Sequence, residues 1–149
     1  MIESVSGNIL ESDATVLVNP VNCVGVSGAG LALQFKQAFP MNHELYAQCC
    51  KDGKVAPGFP LTTHDRDSGK VIYNFPTKRH WKDKAQLQDI LSGLFQLAVD
   101  IKYSEEYQFI AMPKIGCGLG GLNWSNVRPW IVYMDMLTDC KARILLYEK

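Results

Sequence analysis

The chain has 149 residues, 47% hydrophobic and 20% charged, which suits one soluble domain built around one core. Fifteen basic side chains balance fifteen acidic ones, so net charge supplies no global pull toward nucleic acid or membrane. The five cysteines, Cys23, Cys49, Cys50, Cys117 and Cys140, are odd in number and contain no C-x-x-C pair, which argues against a disulfide scaffold or a zinc knuckle and fits reduced thiols.

Met1-Ile2-Glu3-Ser4-Val5 is not a basic segment leading into an apolar one, and no apolar run approaches the ~20 residues of a membrane span. A cytoplasmic protein without a membrane partner is expected. Val16-Leu17-Val18-Asn19-Pro20-Val21-Asn22 is an apolar, β-branched run and predicts a buried strand. A glycine-rich stretch, Gly25 to Gly30, follows it. Residues 31–39 predict a helix stopped by Pro40, and Asn42 is a candidate cap for a second helix through about Cys50. Val71-Ile72-Tyr73-Asn74-Phe75 predicts a strand ended by Pro76. Leu87, Ile90, Leu91, Leu94, Leu97, Ala98 and Ile101 recur at helical spacing. Phe109-Ile110-Ala111-Met112 predicts a short buried strand that feeds a second glycine-rich loop over residues 116–121. A helix from Trp124 or Ser125 to about Leu137, with Pro129 in its first turns, precedes a last strand over residues 143–147. No repeat or linker interrupts residues 1–149, so they read as one domain. The alternation of strands and helices predicts an α/β fold.

Each glycine-rich loop follows a strand and leads into a helix. In an open α/β sheet, ligands sit beyond the carboxyl ends of the strands. Glycines let backbone N–H groups approach a phosphate, and a helix N-terminus adds partial positive charge. Taken alone, either loop reads first as a tight turn. The first lacks the long βαβ unit and acidic residue of a dinucleotide site, and no G-K-[ST] ending marks a P-loop. As a pair in the same context, the loops point to a phosphate-bearing ligand.

Three sets of residues carry a family resemblance. Gly7-Asn8-Ile9-Leu10, residues 17–23 and Gly25-Val26-Ser27-Gly28-Ala29-Gly30 resemble the opening of a macrodomain. Asn74-Phe75-Pro76-Thr77-Lys78-Arg79-His80-Trp81 and residues 113–124 resemble the branch that holds the terminal ADP-ribose glycohydrolase and the DarG antitoxins, DarG being the nearer. The resemblance spans nearly the whole chain. It implies a three-layer α/β/α sandwich around a mixed central sheet, and an ADP-ribosyl glycohydrolase that needs no cofactor and no metal. Carried over by position, it implies that Asn8 and Ile9 meet the adenine end, Asn22 bonds the distal ribose, and Tyr147 stacks on adenine. It further implies one phosphate loop from the backbone of Ser27, Gly28, Ala29, Gly30 and Leu31, and another from Ile115, Gly116, Cys117, Gly118, Leu119 and Gly120. It also implies that Thr77 belongs to the residues that bind ADP-ribose.

Two departures stand out. Many macrodomains have Asp where this chain has Asn8, although the Asn carbonyl still accepts a hydrogen bond. The eukaryotic glycohydrolase has a catalytic Asp where this chain has Gly120; DarG proteins share the glycine.

In this branch the lysine matching Lys78 is catalytic, acting at the anomeric carbon of the distal ribose. Nucleophilic attack needs the neutral amine, and a free lysine near ~10.4 pays roughly 4.6 kcal/mol to deprotonate at pH 7. Burial and a nearby cation such as Arg79 are expected to lower that cost. A charged Lys78 would instead stabilise leaving-group or phosphate charge. Without the resemblance, this stretch reads as a solvated basic loop. Arg79, His80, Lys82 and Lys84 interleave with Trp81, a composition that can hold a nucleic-acid backbone and stack a base and that fits a plain solvated loop equally well. Cys117 between glycines has the setting of an activated thiol, but without a triad it reads as a small residue tolerated in a tight loop. His43 and His64 read as surface residues.

Three functions follow as expectations. The first is removal of ADP-ribose from a modified macromolecule, with thymidine in DNA ahead of protein carboxylates. The second is a phosphatase on ADP-ribose 1″-phosphate, and the third a non-catalytic ADP-ribose reader. Monomer is the default. A chain ending at the macrodomain suits a stand-alone role, as in a phage opposing host ADP-ribosylation from the host cytoplasm.

Overall fold

The computed structural model describes all 149 residues, Met1–Lys149. Strands β1 (Ile2–Val5), β2 (Val16–Asn22), β3 (Leu61–His64), β4 (Val71–Lys78), β5 (Phe109–Pro113) and β6 (Arg143–Tyr147) form one sheet in the order β1-β6-β5-β2-β4-β3. All neighbours pair in parallel except β3, which runs antiparallel to β4 on the edge. The helices are α1 (Gly30–Ala38), α2 (Pro40–Lys51), α3 (Leu87–Tyr103) and α4 (Trp124–Leu137). None is long and apolar enough to cross a membrane.

Alternation along the strands sorts the side chains onto two faces. Val16 and Val18 of β2 and Val71, Tyr73 and Phe75 of β4 pack with α3 and α4 residues such as Ile90, Leu97, Val127 and Ile131 in the larger core. Leu17, Ile72 and Ala111 turn the other way, against Phe35 and Phe39. Helices therefore cover both faces of the mixed sheet, giving the expected α/β/α layers.

The structure departs from the sequence reading at four points. β4 passes through Pro76 and ends at Lys78. The β2–β4 register shifts between Val21 and Asn22, opposite this stretch, so the proline lies where regular pairing is already broken. Asn42 does not cap α2: Pro40 opens that helix after Phe39, and Asn42 is buried inside it. There it exchanges hydrogen bonds with Asn74, 3.1 Å from Nδ2 to the Asn74 Oδ1 and 2.8 Å in return. β1 and β3, four residues each, were not anticipated. The cap of α4 is Asn123, whose Oδ1 accepts from the Ser125 amide at 3.1 Å.

Candidate functional site

The sheet order arranges the carboxyl ends of four strands in a row. Tyr147 ends β6, the second glycine loop follows β5, the first follows β2, and Lys78 ends β4. At ~4.8 Å per strand, three spacings put the two ends of this row ~14 Å apart. After β2 the chain moves outward to β4; with β5 it returns on the other side. The β2/β5 boundary is therefore the topological switch point, where α/β sheets open a crevice. Register pairing between β2 and β5 covers only Val16↔Ile110 and Leu17↔Ala111.

A polar clamp shapes the first loop. The Asn22 Oδ1 accepts the backbone N–H groups of Val24, Gly25 and Val26 at 3.0, 3.1 and 3.3 Å, and its Nδ2 donates to the Val26 carbonyl at 2.6 Å. The buried Tyr46 hydroxyl is 2.8 Å from both the Oδ1 and the carbonyl oxygen of Asn22. Burial pushes this phenol further above its usual range, so it stays protonated and donating. Beyond the clamp, the backbone amides of residues 27–32 donate to no protein acceptor. α1 begins there, behind Ala29, with no side-chain cap. Ser27 is buried, while Gly28, Ala29 and Gly30 face solvent.

The second loop is wedged by packing. Gly116 has φ +75°, and a Cβ there would meet Ile90 Cδ1 and Leu122 Cδ1 at 3.0 Å each. The Leu122 amide closes the turn onto the Gly116 carbonyl at 3.0 Å. Ile115 is fully buried and anchors the loop in the larger core. The amides of Gly116, Gly118 and Leu119 have no protein acceptor. The two loops lie side by side: the Leu119 side chain reaches toward the first loop, its Cδ1 3.4 Å from the position a Cβ on Gly30 would take.

At the β6 end, Gly7, Asn8, Ile9, Leu31, Gln34, Pro113 and Tyr147 line a cleft of about 390 Å³. It unites four residues expected from the sequence, Asn8, Ile9, Leu31 and Tyr147. The Asn8 Oδ1 already accepts the Leu10 amide at 3.0 Å, which uses one of its two lone pairs. Gly7, Gln34 and Pro113 escaped the sequence reading. Gln34 lies one turn beyond Leu31 on α1, and that helical spacing was the available signal.

At the β4 end, Lys78 sits in register with Asn22 and is half-buried. Its Nζ donates to the Trp81 carbonyl at 3.0 Å. Arg79, the expected cation near Lys78, is paired: its Nε and Nη2 donate to the buried Asp89 carboxylate at 3.1 and 3.2 Å. The Ala85 amide donates to the Gly120 carbonyl at 2.8 Å, which ties the basic loop to the second glycine loop. A Cβ at Gly120 would lie 3.2 Å from Ala85 Cβ, so this packing itself favours glycine here. Thr77 is buried and its Oγ1 donates to the Val21 carbonyl at 3.2 Å, a bond that joins β4 to β2.

The remaining candidates recede. Burial pushes the Cys117 thiol up, against thiolate chemistry, and Cys23 is pushed up to about 11 for the same reason. His43 is half-buried, its ring 5.8 Å from that of Tyr46, rather than a surface residue. His64 is exposed and pairs with Glu106. Tyr46 and Asp89 were invisible beforehand because their partners, Asn22 and Arg79, are fixed only by the tertiary fold.

A Macro domain family model matches residues 18–131. The chain is 43% identical over 149 residues to the DNA ADP-ribosyl glycohydrolase of Mycobacterium tuberculosis, a match covering 97% of this chain and 42% of that protein. The macrodomain of Mycobacterium tuberculosis DarG matches with a TM-score of 0.93 at 37% identity, over 100% of this chain and 98% of that one. Thermosipho africanus DarTG in complex with ADP-ribose matches with a TM-score of 0.86 at 32% identity, over 97% of this chain and 41% of that one. The sheet order, the adjacent loops and these matches agree, and the chain belongs to the macrodomain family.

Proposed function

We propose that this macrodomain binds ADP-ribose along the edge β6-β5-β2-β4 and hydrolyses the bond joining it to thymidine in DNA, with Lys78 as the catalytic residue. One observation carries the reading: the row of strand ends repeats the order of the ligand's parts. The cleft of Asn8, Ile9, Leu31 and Tyr147 takes adenine. The unpaired amides of the two adjacent loops, residues 27–32 and Gly116, Gly118 and Leu119, take the diphosphate. Lys78, paired with Asn22 across the strands, takes the distal ribose, where the bond to the base is cut. Asn22 acts chiefly by shaping the first loop. Relatives bearing the name DNA ADP-ribosyl glycohydrolase support DNA as the modified polymer.

In the reaction, water supplies the hydroxyl that ends on the anomeric carbon, and the thymidine nitrogen leaves with a proton. A neutral Lys78 amine would first form an imine with the opened sugar; a charged one would steady the leaving group. Borohydride trapping of a protein–sugar adduct separates these two roles. On this reading residues 1–149 work as one domain, as a monomer, and in the cytoplasm.

The test presents the protein and a Lys78→Ala variant with ADP-ribosylated single-stranded DNA, ADP-ribosylated protein and ADP-ribose 1″-phosphate. Release of ADP-ribose from DNA is expected, falling by about a hundredfold or more in the variant. Phosphate release alone would assign a phosphatase. ADP-ribose that raises Tm without any turnover would assign a reader.

A further inference from the structure

The loop joining β4 to α3 carries more than the catalytic reading requires. Trp81 is 48% exposed, at the end of the row where Lys78 stands. Its indole is not loose: the His80 ring stacks on it with centroids 5.5 Å apart and planes 28° from parallel. The His80 ring is itself oriented, its Nδ1 accepting the Lys82 amide at 3.1 Å. The Lys82 Nζ lies 5.0 Å from the indole centroid, an exposed cation–π contact that is weak enough to exchange for a base or a phosphate. Lys84 is exposed and borders the second glycine loop, 3.6 Å from the position of a Gly121 Cβ. Arg79 is neutralised by Asp89, so Lys78, Lys82 and Lys84, offset by Asp83 alone, make the loop locally basic in a chain of zero net charge.

Position gives this cluster its meaning. The Trp81 carbonyl accepts from Lys78 Nζ at 3.0 Å, so the residue that carries the indole is hydrogen-bonded directly to the amine at the distal-ribose end. The adenine cleft lies three strands away. On the glycohydrolase reading, a polymer joined to the distal ribose starts at the end of the row that this loop borders.

We propose that the His80–Trp81 stack, flanked by Lys82 and Lys84, is a binding platform for single-stranded DNA that receives the base next to the modified thymidine. The inference rests on the glycohydrolase reading and names the part of the substrate that reading leaves unbound. Aromatic faces accept any base, and lysines track the backbone. The platform therefore confers preference for a strand over a lone nucleoside, without preference for sequence.

Two measurements test it separately from catalysis. The first compares kcat/KM on an ADP-ribosylated single-stranded oligonucleotide with that on ADP-ribosyl-thymidine. The wild-type protein is expected to favour the oligonucleotide. Trp81→Ala should shrink that ratio about tenfold, chiefly through KM, and Trp81→Phe should restore most of it. Equal losses on both substrates would mean that Trp81 serves only to hold Lys78, and would overturn the platform. The second measures binding of an unmodified oligothymidylate by fluorescence anisotropy. Affinity should drop about tenfold in Trp81→Ala, and Lys82→Ala should flatten the salt dependence by about 0.7 in log–log slope. Trp81-dependent binding without any hydrolysis in the wild-type protein would uphold the platform while overturning the glycohydrolase reading. Binding indifferent to Trp81, or a preference for an acidic peptide or RNA over DNA, would overturn the platform itself.

Discussion

The two glycine loops present the same chemistry, and each holds a left-handed glycine against a neighbour, Gly25 against Ala47 and Gly116 against Ile90 and Leu122, but their main supports differ. The first is fixed by hydrogen bonds: one asparagine, locked by Tyr46, accepts three consecutive amides. The second is fixed by fit, with Gly116 pressed between Ile90 and Leu122 in a backbone conformation that L side chains avoid. Loss of one polar contact leaves neighbouring ones in place, whereas a close-packed wedge has no slack. The first loop should therefore yield by degrees and the second all at once.

Mutagenesis of the wedge gives the largest effect. Gly116→Ala combines left-handed strain with overpacking, together about 2–4 kcal/mol. For a chain of this size, Tm should fall by about 5–15 °C. Differential scanning fluorimetry checks this, and a loss no larger than that of a first-loop variant would abolish the contrast. Removing the clamp's lock is milder. Tyr46→Phe deletes the hydrogen bonds to Asn22 and should cost about 1–2 kcal/mol, with ADP-ribose binding weakened about five- to tenfold by calorimetry. Full retention of affinity would show that Asn22 holds the loop unaided.

The smallest effect concerns acid. The helix that leaves the second loop, α4, is tied to the end of β6 through Glu148, whose Oε1 accepts from Arg128 Nε at 2.8 Å and Trp124 Nε1 at 3.0 Å. The hydrogen bond from Arg128, chiefly, pushes this carboxyl down to about 2. A carboxyl depressed in the folded state contributes stability that is complete above its ordinary value near 4.5 and lost as pH falls toward 2. Glu148→Gln should flatten the stability profile between those limits, and an unchanged profile would deny the pair its role. The first loop, held by an amide and a phenol that stays protonated, has no such acid window.

The same contrast explains what the sequence could disclose. Residues 16–22, 109–112 and 143–147 were legible as strands because continuous apolar runs mark strands buried on both faces. β1 and β3 were not, since four half-exposed residues on a sheet edge leave no periodic signal. Both glycine loops and Lys78 were visible through composition and family resemblance. Their supports were not: Tyr46 to Asn22, Asp89 to Arg79 and Ala85 to Gly120 are contacts between distant segments, and nothing local to either partner announces them. Pro76 misled because a proline ends most strands, and only the register shift beside it explains why β4 continues.

The row of strand ends also has a consequence for timing. β6 lies between β1 and β5, so the first strand to be synthesised has no partner in the sheet until the sixth arrives. Tyr147, at one extremity of the row, comes with it. During translation the lysine end can be assembled long before the Tyr147 end exists. The nascent chain should thus gain its grip on nucleotide in one late step, when β6 slots in and closes the sheet.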